Sequence, residues 1–124
     1  MDQNTLVSSG HALVKALDNA GIGPRLAMWV HKTDTDTWKL WLVPPIGLHD
    51  KHDFYRHISR AISENRADMG GLDTSDTEMV EDTHPAIRGL RGFMRMPGLG
   101  SSYFSGNRFN NYYLPDGIIL RIDL

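Results

Sequence analysis

The chain contains no cysteine. It therefore has no thiol for a disulfide scaffold, a cysteine-ligated metal or a thiol nucleophile, and this composition fits a reducing compartment. It also has no apolar run near the roughly 20 residues that a membrane helix needs. The opening MDQNTLVSSGH places Asp2 where a secretory signal carries positive charge, and no long apolar stretch follows. We therefore expect a cytoplasmic protein without membrane contact.

Two segments each lack one sign of charge. Residues 67–82 contain six acids and no Lys or Arg, whereas residues 83–115 contain four arginines and no Asp or Glu. We call them the acidic block and the basic block. The net charge of −2 and the isoelectric point near 6.3 argue against a sequence-blind coat for nucleic acid. Either the two blocks are neighbours that neutralise each other, or the basic block faces a partner.

The remaining composition is typical of a soluble globular protein. The 124 residues are 40% hydrophobic and 23% charged, which is near the average for one folded domain. The sequence shows neither an internal repeat nor a low-complexity tract, so we expect one domain over residues 1–124.

The first half of the chain predicts two helices around a hairpin. Apolar residues at helical spacing predict a helix over residues 5–20: Leu6, Leu13, Val14 and Leu17. Two β-prone runs, RLAMWVH and WKLWLVPP, flank the connection TDTDT and predict a hairpin whose second strand carries apolar side chains on both faces. A second helix is expected over residues 51–66, with a buried stripe of Phe54, Ile58, Ala61 and Ile62.

The second half predicts shorter elements. We expect a short strand near TEMVE and a short helix over residues 83–93 that begins at Thr83 or Asp82. RFNNYYL, the turn PDG and IILRIDL predict a closing hairpin. One face of its last strand would carry Ile118, Leu120 and Ile122. The fold class is therefore α+β, with a four- or five-stranded, mainly antiparallel sheet, two principal helices packed on it and a short third helix.

The segment HDKHDFYRH, residues 49–57, is the first candidate site. On a helix, residues four apart share a side, so His49, Asp53 and His57 would form a line of metal ligands or acid/base groups. However, Asp50 is the best N-cap of the segment, and with that cap His49 lies outside the helix. Asp53 would then pair with His57. We therefore predict a capped helix start without a cofactor, and the metal site is the alternative.

The basic block is the second candidate. Arg88, Arg91 and Arg95 are three and four residues apart, so on a helix they share one side. Nearby glycines allow the backbone to approach an anion closely, and aromatic residues such as Tyr103 can stack on bases. With Arg108, these residues form our candidate binding site for a protein or an anionic partner. GLRGFMRMPGLGSS lacks the GK[ST] ending of a phosphate-binding P-loop.

The tryptophans of the first hairpin are the third candidate. Trp29, Trp38 and Trp41 fall on its two strands. Burial of at least two of them in the core is the simpler interpretation. An exposed Trp29 or Trp41 would instead mark a docking face, because tryptophan is enriched at interface hot spots. The sequence has no GxSxG elbow, and we predict no catalytic residue.

Taken together, the first hairpin, the helix after it, HPAIRGLR and the closing GIILRI resemble a family of small, uncharacterised bacterial single-domain proteins. Their shared order is helix, hairpin, helix, a short helix containing HP, and a last strand that carries an arginine. The resemblance implies a bacterial, single-domain protein and assigns no catalytic residue. The corresponding arginine here is Arg121, for which we expect an acidic partner from residues 67–82.

These observations lead to three hypotheses. The first is a non-enzymatic accessory or regulatory protein that binds another macromolecule, with a protein partner expected and a homodimer compatible; it would act as an inhibitor or as a subunit of a larger complex. The alternative is a nucleic-acid- or phosphate-binding module that uses residues 84–108. The third is a metal-dependent hydrolase that uses residues 49–57.

Overall fold

A five-stranded sheet forms the centre of the protein. In the computed structural model, which describes residues 2–124, the strands lie in the order β3-β2-β1-β5-β4. Their bounds are β1 Leu26–Lys32, β2 Thr37–Val43, β3 Thr77–Met79, β4 Ser102–Phe109 and β5 Tyr112–Ile122. Within residues 2–124, β2 and β3 run parallel, and the other neighbouring strands run antiparallel. The predicted α+β class is confirmed.

Three α-helices cover the two faces of this sheet. Their bounds are α1 Gln3–Asn19, α2 Lys51–Glu64 and α3 Pro85–Arg91. Helices α1 and α2 pack on one face, which we call the helix face, and α3 packs on the other, the α3 face. Each face has its own buried core, so the middle of the sheet is covered on both sides. In residues 2–124 we find no helix with the length and apolar character needed to cross a bilayer.

The first hairpin and α2 form as predicted. Leu40 and Leu42 lie in the core of the helix face, and Trp41 and Val43 lie in the core of the α3 face, because successive side chains of a strand alternate. The buried stripe of α2 consists of Phe54, Ile58, Ala61 and Ile62. Asp50 caps this helix by accepting a hydrogen bond from the backbone N–H of Asp53 at 3.1 Å.

The closing hairpin turns at a different place from the predicted one. Its turn is Asn110-Asn111, with φ of 51° and 64°, the left-handed conformation that a two-residue hairpin turn needs and that Asn tolerates. The predicted turn, residues 115–117, lies inside β5. There Pro115 faces Gly106, whose φ is 56°. The hairpin is thus longer than predicted and has a local irregularity at this pair.

A second irregularity changes the faces of β5. The register of β5 against β1 shifts between Ala27 and Met28, and this β-bulge places one extra residue in β5. Because one extra residue reverses the alternation of side chains, Ile122 lies in the core of the α3 face. The prediction that Ile122 shares a face with Ile118 and Leu120 is wrong for that reason.

Arg121, beside this bulge, joins β5 to α1. Its guanidinium donates to both carboxylate oxygens of Asp18, at 2.7 and 2.8 Å, and its Nε donates to the carbonyl oxygen of Pro97 at 2.8 Å. The expected partner from residues 67–82 is therefore wrong. The pairing depends on how α1 packs on the sheet, which local sequence does not reveal.

The start of α3 also differs from the prediction. His84 caps the helix in place of Thr83 or Asp82, and its Nδ1 accepts the backbone N–H of Ala86 at 3.1 Å. Pro85 occupies the first helical position, where a missing N–H costs nothing.

Candidate functional site

Residues 49–57 form a helix start. His49 precedes α2, and Asp53 pairs with Arg56 one turn later instead of with His57. Throughout residues 2–124, no three His, Asp or Glu side chains lie close enough together to hold a metal ion. The predicted line of His49, Asp53 and His57 is therefore not assembled.

His49 instead lines a cleft at the carboxyl ends of the parallel strands β2 and β3. The cleft has a volume of about 300 Å³, and ligands often bind at such a position. Its arginine, Arg25, already donates to Asp82 at 3.3 Å and to the carbonyl of Pro44 at 3.0 Å. The described residues that line it include no buried polar atom without a partner. The cleft therefore gives no indication of a ligand.

The acidic and basic blocks share a single ion pair within residues 2–124. In the described part of the chain the ion pair between them joins Arg91 and Asp82, 4.0 Å apart, and Asp82 also accepts from Arg25. Arg95 pairs with Asp123, outside the acidic block, at 3.0 Å. The expectation that the two blocks neutralise each other therefore holds at Asp82 alone.

Two arginines of the basic block have no acidic partner within residues 2–124. They are Arg88 and Arg108, and both are exposed. The guanidinium carbon of Arg108 lies over the ring of Tyr113, 5.8 Å from its centroid, a cation–π contact. Because α3 ends at Arg91, Arg95 does not continue the predicted helical line of arginines. The basic block is thus spread over several elements.

Exposed aromatic side chains concentrate at the β4–β5 hairpin. Of the five large hydrophobic side chains exposed within residues 2–124, four lie on this hairpin or just after α3: Phe93, Tyr103, Tyr112 and Tyr113. The fifth, Ile46, is 85% exposed in the loop after β2. Exposed aromatic groups beside an arginine are typical of interface hot spots.

Tyr103, Tyr113 and the exposed Arg108 lie on one face of the hairpin. Tyr103 opposes Ile118, which belongs to the core of the helix face. Arg108 and Tyr113 oppose each other, and their sequence neighbours Phe109 and Leu114 point into the core of the α3 face. Alternation after the irregularity at Gly106 therefore turns Arg108 and Tyr113 away from the α3 face. Because of that irregularity they share the helix face with Tyr103, although Tyr103 and Arg108 are five residues apart. We call these three residues the hairpin surface.

Neither principal helix covers the hairpin surface. The extensive contacts of α1 are with β1, β5 and α2, and those of α2 include β3 but not β4. A groove of about 350 Å³ runs beside Tyr103 and is lined by Trp38, Asp116 and Ile118. Asp116 accepts a hydrogen bond from the hydroxyl of Ser105 at 2.8 Å. Of the hairpin surface, Tyr103 lines this groove, whereas Arg108 and Tyr113 lie farther along the hairpin, toward its turn.

The tryptophans predicted as candidate docking residues lie in the two cores. Trp29 is 1% exposed, and its indole N–H donates to the carbonyl of Leu6 at 2.7 Å. Trp41 is 3% exposed, and its ring packs edge-on against His84 with centroids 5.3 Å apart. The core interpretation is confirmed for both, and Trp29 and Trp41 present no surface to a partner.

His84 lies between Trp41 and the exposed ring of Tyr112. The centroids of His84 and Tyr112 are 4.7 Å apart. Burial among these rings lowers the pKa of His84 below its ordinary value of 6.5. Its neutral form is also the one whose Nδ1 can accept the N–H of Ala86. This histidine therefore has a structural role at the start of α3.

Sequence reasoning identifies Tyr103 and Arg108 but misses Tyr113. The missing information is the position of the turn. With Asn110-Asn111 as a two-residue turn, Arg108 and Tyr113 become opposite residues, and both must point away from the core that holds Phe109. A two-residue turn at Asn110-Asn111, in place of PDG, predicts this pair.

Comparison with known proteins finds no matching family model, no similar curated protein and no similar solved structure. The resemblance to small bacterial single-domain proteins therefore stays a prediction.

Proposed function

We propose that this protein is a non-enzymatic bacterial accessory protein that binds a protein partner through the hairpin surface. The observation that carries the proposal is the concentration of exposed aromatic side chains on and beside one hairpin, with Tyr103 and Tyr113 54% and 52% exposed. Single exposed apolar residues are ordinary on a protein surface, whereas a group of them marks a contact site. The proposal of a non-enzymatic role rests on the sequence, which carries no nucleophile, metal or cofactor motif.

Charge favours a protein over a nucleic acid as the partner. A nucleic-acid surface needs several cations that each reach a phosphate. Arg108 is the one cationic residue of the hairpin surface, and the carboxylate of Asp116 lies at the groove beside Tyr103. This carboxylate would repel a phosphate backbone. A tyrosine-rich surface with one arginine and a neighbouring acid is, in contrast, ordinary for a protein interface.

The test is recovery of a partner by a surface variant and by a matched control. Tagged wild-type protein, the double variant Tyr103→Ala/Tyr113→Ala and the control Ile46→Ala would be incubated with extract of the native host. Ile46 is the control because it is exposed and lies outside the hairpin. We expect wild type and Ile46→Ala to retain the same protein, and the double variant to retain at least about tenfold less.

Two outcomes would contradict the proposal. Equal recovery by all three proteins would place the contact elsewhere, and recovery of nucleic acid in place of a protein would favour the alternative module. Circular dichroism of the double variant would show that its fold is intact, so that a loss of binding reports on the surface.

A further inference from the structure

The two edges of the sheet are protected to different degrees. The β3 edge is three residues long, and short edge strands offer little to pair with. The β4 edge is eight residues long and has neither lysine nor proline, the residues that commonly block the addition of another strand. The β4 edge is therefore the open edge of the sheet.

The backbone of β4 has free hydrogen-bonding groups on this edge. Among residues 2–124, β4 pairs with β5 on one side and with no strand on the other. In an antiparallel ladder, alternate residues of such a strand turn their N–H and C=O groups outward. Within the described chain, residues 102–109 make no backbone hydrogen bond outside the sheet. The segment before β4 is different, since Met96 and Gly100 already bond to β5.

We propose that β4 receives an extended segment of a partner protein as a sixth strand of the sheet. This inference rests on the proposed function and specifies how the partner binds: backbone hydrogen bonds along β4 supply affinity, and the hairpin surface supplies specificity. Gly106, with its positive φ, interrupts the regular edge, so pairing divides into a run before Gly106 and a run after it.

The charges on β4 indicate an acidic partner segment. Arg108 is the charged residue of β4, and it has no acidic partner among residues 2–124. Ser105, nearer the start of β4, already donates to the carboxylate of Asp116. An acidic residue of the partner is therefore favoured beside Arg108, toward the hairpin turn, and disfavoured beside Ser105.

The same charges disfavour a second copy of this chain as the added strand. Two β4 strands would bring two arginines to the junction and no carboxylate of β4 to pair with them. The occupant that complements the edge is a different, acidic chain.

The experiment uses three synthetic peptides that differ only in the residue at their two ends. Each is a ten-residue peptide of alternating valine and threonine, with glutamate, glutamine or lysine at both ends. Binding to the full protein would be measured by fluorescence polarisation at low salt, and amide hydrogen exchange would locate the bound strand. We expect the glutamate peptide to bind more tightly than the lysine peptide by about fivefold or more. We also expect slower exchange in residues 102–109 but not in residues 77–79.

The variant Arg108→Gln tests the charge preference. Arg108 is exposed, so the fold should tolerate the change, and circular dichroism would check this. The three peptides should then bind Arg108→Gln with similar affinities. Binding of no peptide, protection elsewhere on the protein, or an unchanged preference in Arg108→Gln would overturn the proposal. Light scattering that showed a dimer with residues 102–109 protected would overturn it too, because a second copy would then occupy the edge.

These results separate the two proposals. If Tyr103→Ala/Tyr113→Ala loses a captured partner but the peptides fail, the hairpin surface binds proteins by its side chains and strand addition is wrong. If the peptides bind β4 but no protein is captured in the extract experiment, strand addition stands and the accessory role proposed above fails.

Discussion

The pair between Arg121 and Asp18 allows a quantitative test of what holds the last strand to the first helix. The side chain of Arg121 is 14% exposed and that of Asp18 is 36% exposed. The hydrogen bonds that Arg121 donates to the carboxylate of Asp18 raise the pKa of Arg121 above its ordinary value. Asp18 lies in the last turn of α1, and this turn contains no basic residue. Because a negative charge is unfavourable at the negative end of the helix dipole, Asp18 would destabilise α1 without Arg121. The variant Asp18→Asn removes this charge and leaves the guanidinium unpaired.

The expected loss follows from two opposing terms. Hydrogen bonds to charged groups contribute about 1.5–3 kcal/mol, and partial exposure of Asp18 favours the lower part of that range. Removing the negative charge from the C-terminal end of α1 stabilises the helix by about 0.5 kcal/mol. We therefore expect Asp18→Asn to lower the free energy of unfolding by about 1.5 kcal/mol, which corresponds to a decrease in Tm of roughly 6 °C for a domain of this size.

Thermal and urea unfolding of a small set of variants would check this value. The matched control is Arg95→Gln, which breaks the pair of Arg95 with Asp123, whose side chains are 72% and 45% exposed. Its effect should stay within about 0.5 kcal/mol. The double variant Asp18→Asn/Arg121→Gln should be little less stable than either single variant. If Asp18→Asn unfolds at the wild-type temperature, the pair does not stabilise the fold and the reasoning is refuted.

Three further changes test local features. Gly89→Ala should cost about 2 kcal/mol in urea unfolding, because a Cβ there would meet the backbone nitrogen of Asn110 at 2.6 Å. Asp50→Ala should cost about 1 kcal/mol in the same assay, because the N–H of Asp53 loses its cap. The pKa of His84 is lower in the folded protein than in the unfolded chain, so the unfolded chain binds a proton at His84 more tightly. The contribution of neutral His84 to folding stability is therefore present above pH 6.5 and is lost as the pH falls. His84→Asn should therefore lose less stability than wild type when unfolding is measured from about pH 8 to pH 5.

Each of these changes has a matched comparison. Gly92→Ala should be neutral or stabilising, since a Cβ there meets no atom within 4 Å; equal losses at Gly89 and Gly92 would show that close packing against Asn110 is unimportant. Asp50→Asn should keep most of the cap, and a loss as large as that of Asp50→Ala would contradict the capping role. Parallel pH curves for wild type and His84→Asn would show that His84 does not contribute to the pH dependence.

The elements that sequence predicts well are those set by local chemistry. The start of α2 follows from Asp50 as a cap and from the spacing that begins with Phe54. The faces of β2 follow from alternation alone, which predicts that Trp41 and Leu42 point to opposite faces of the sheet. Neither conclusion needs information from distant parts of the chain.

The elements that sequence misses depend on distant packing. PDG and Asn110-Asn111 are both good turn sequences. The difference is that β5 must continue beyond PDG to pair along β4 while its other side pairs with β1. Arg121 finds Asp18 because α1 crosses the sheet above β5. No local pattern specifies either arrangement.

The candidate site could be predicted in part. Tyr103 and Arg108 are exposed on the hairpin, whereas Trp29 and Trp41 are buried because helices cover the first hairpin on both faces. A strand with apolar side chains on both faces has the same sequence pattern whether its second face is covered by a helix or by a partner protein. The number of layers over a strand is therefore the information that the sequence lacks.

The place of β5 between β1 and β4 also has a consequence for biosynthesis. β1 leaves the ribosome early, but Leu26 at its start pairs with Ile122 near the end of β5. Until β5 has been made, one side of β1 remains unpaired and both cores lack the residues that β5 contributes. Such long-range pairing slows folding. A nascent chain that stops before β5 would expose an unpaired apolar strand and would be prone to aggregate or to need a chaperone.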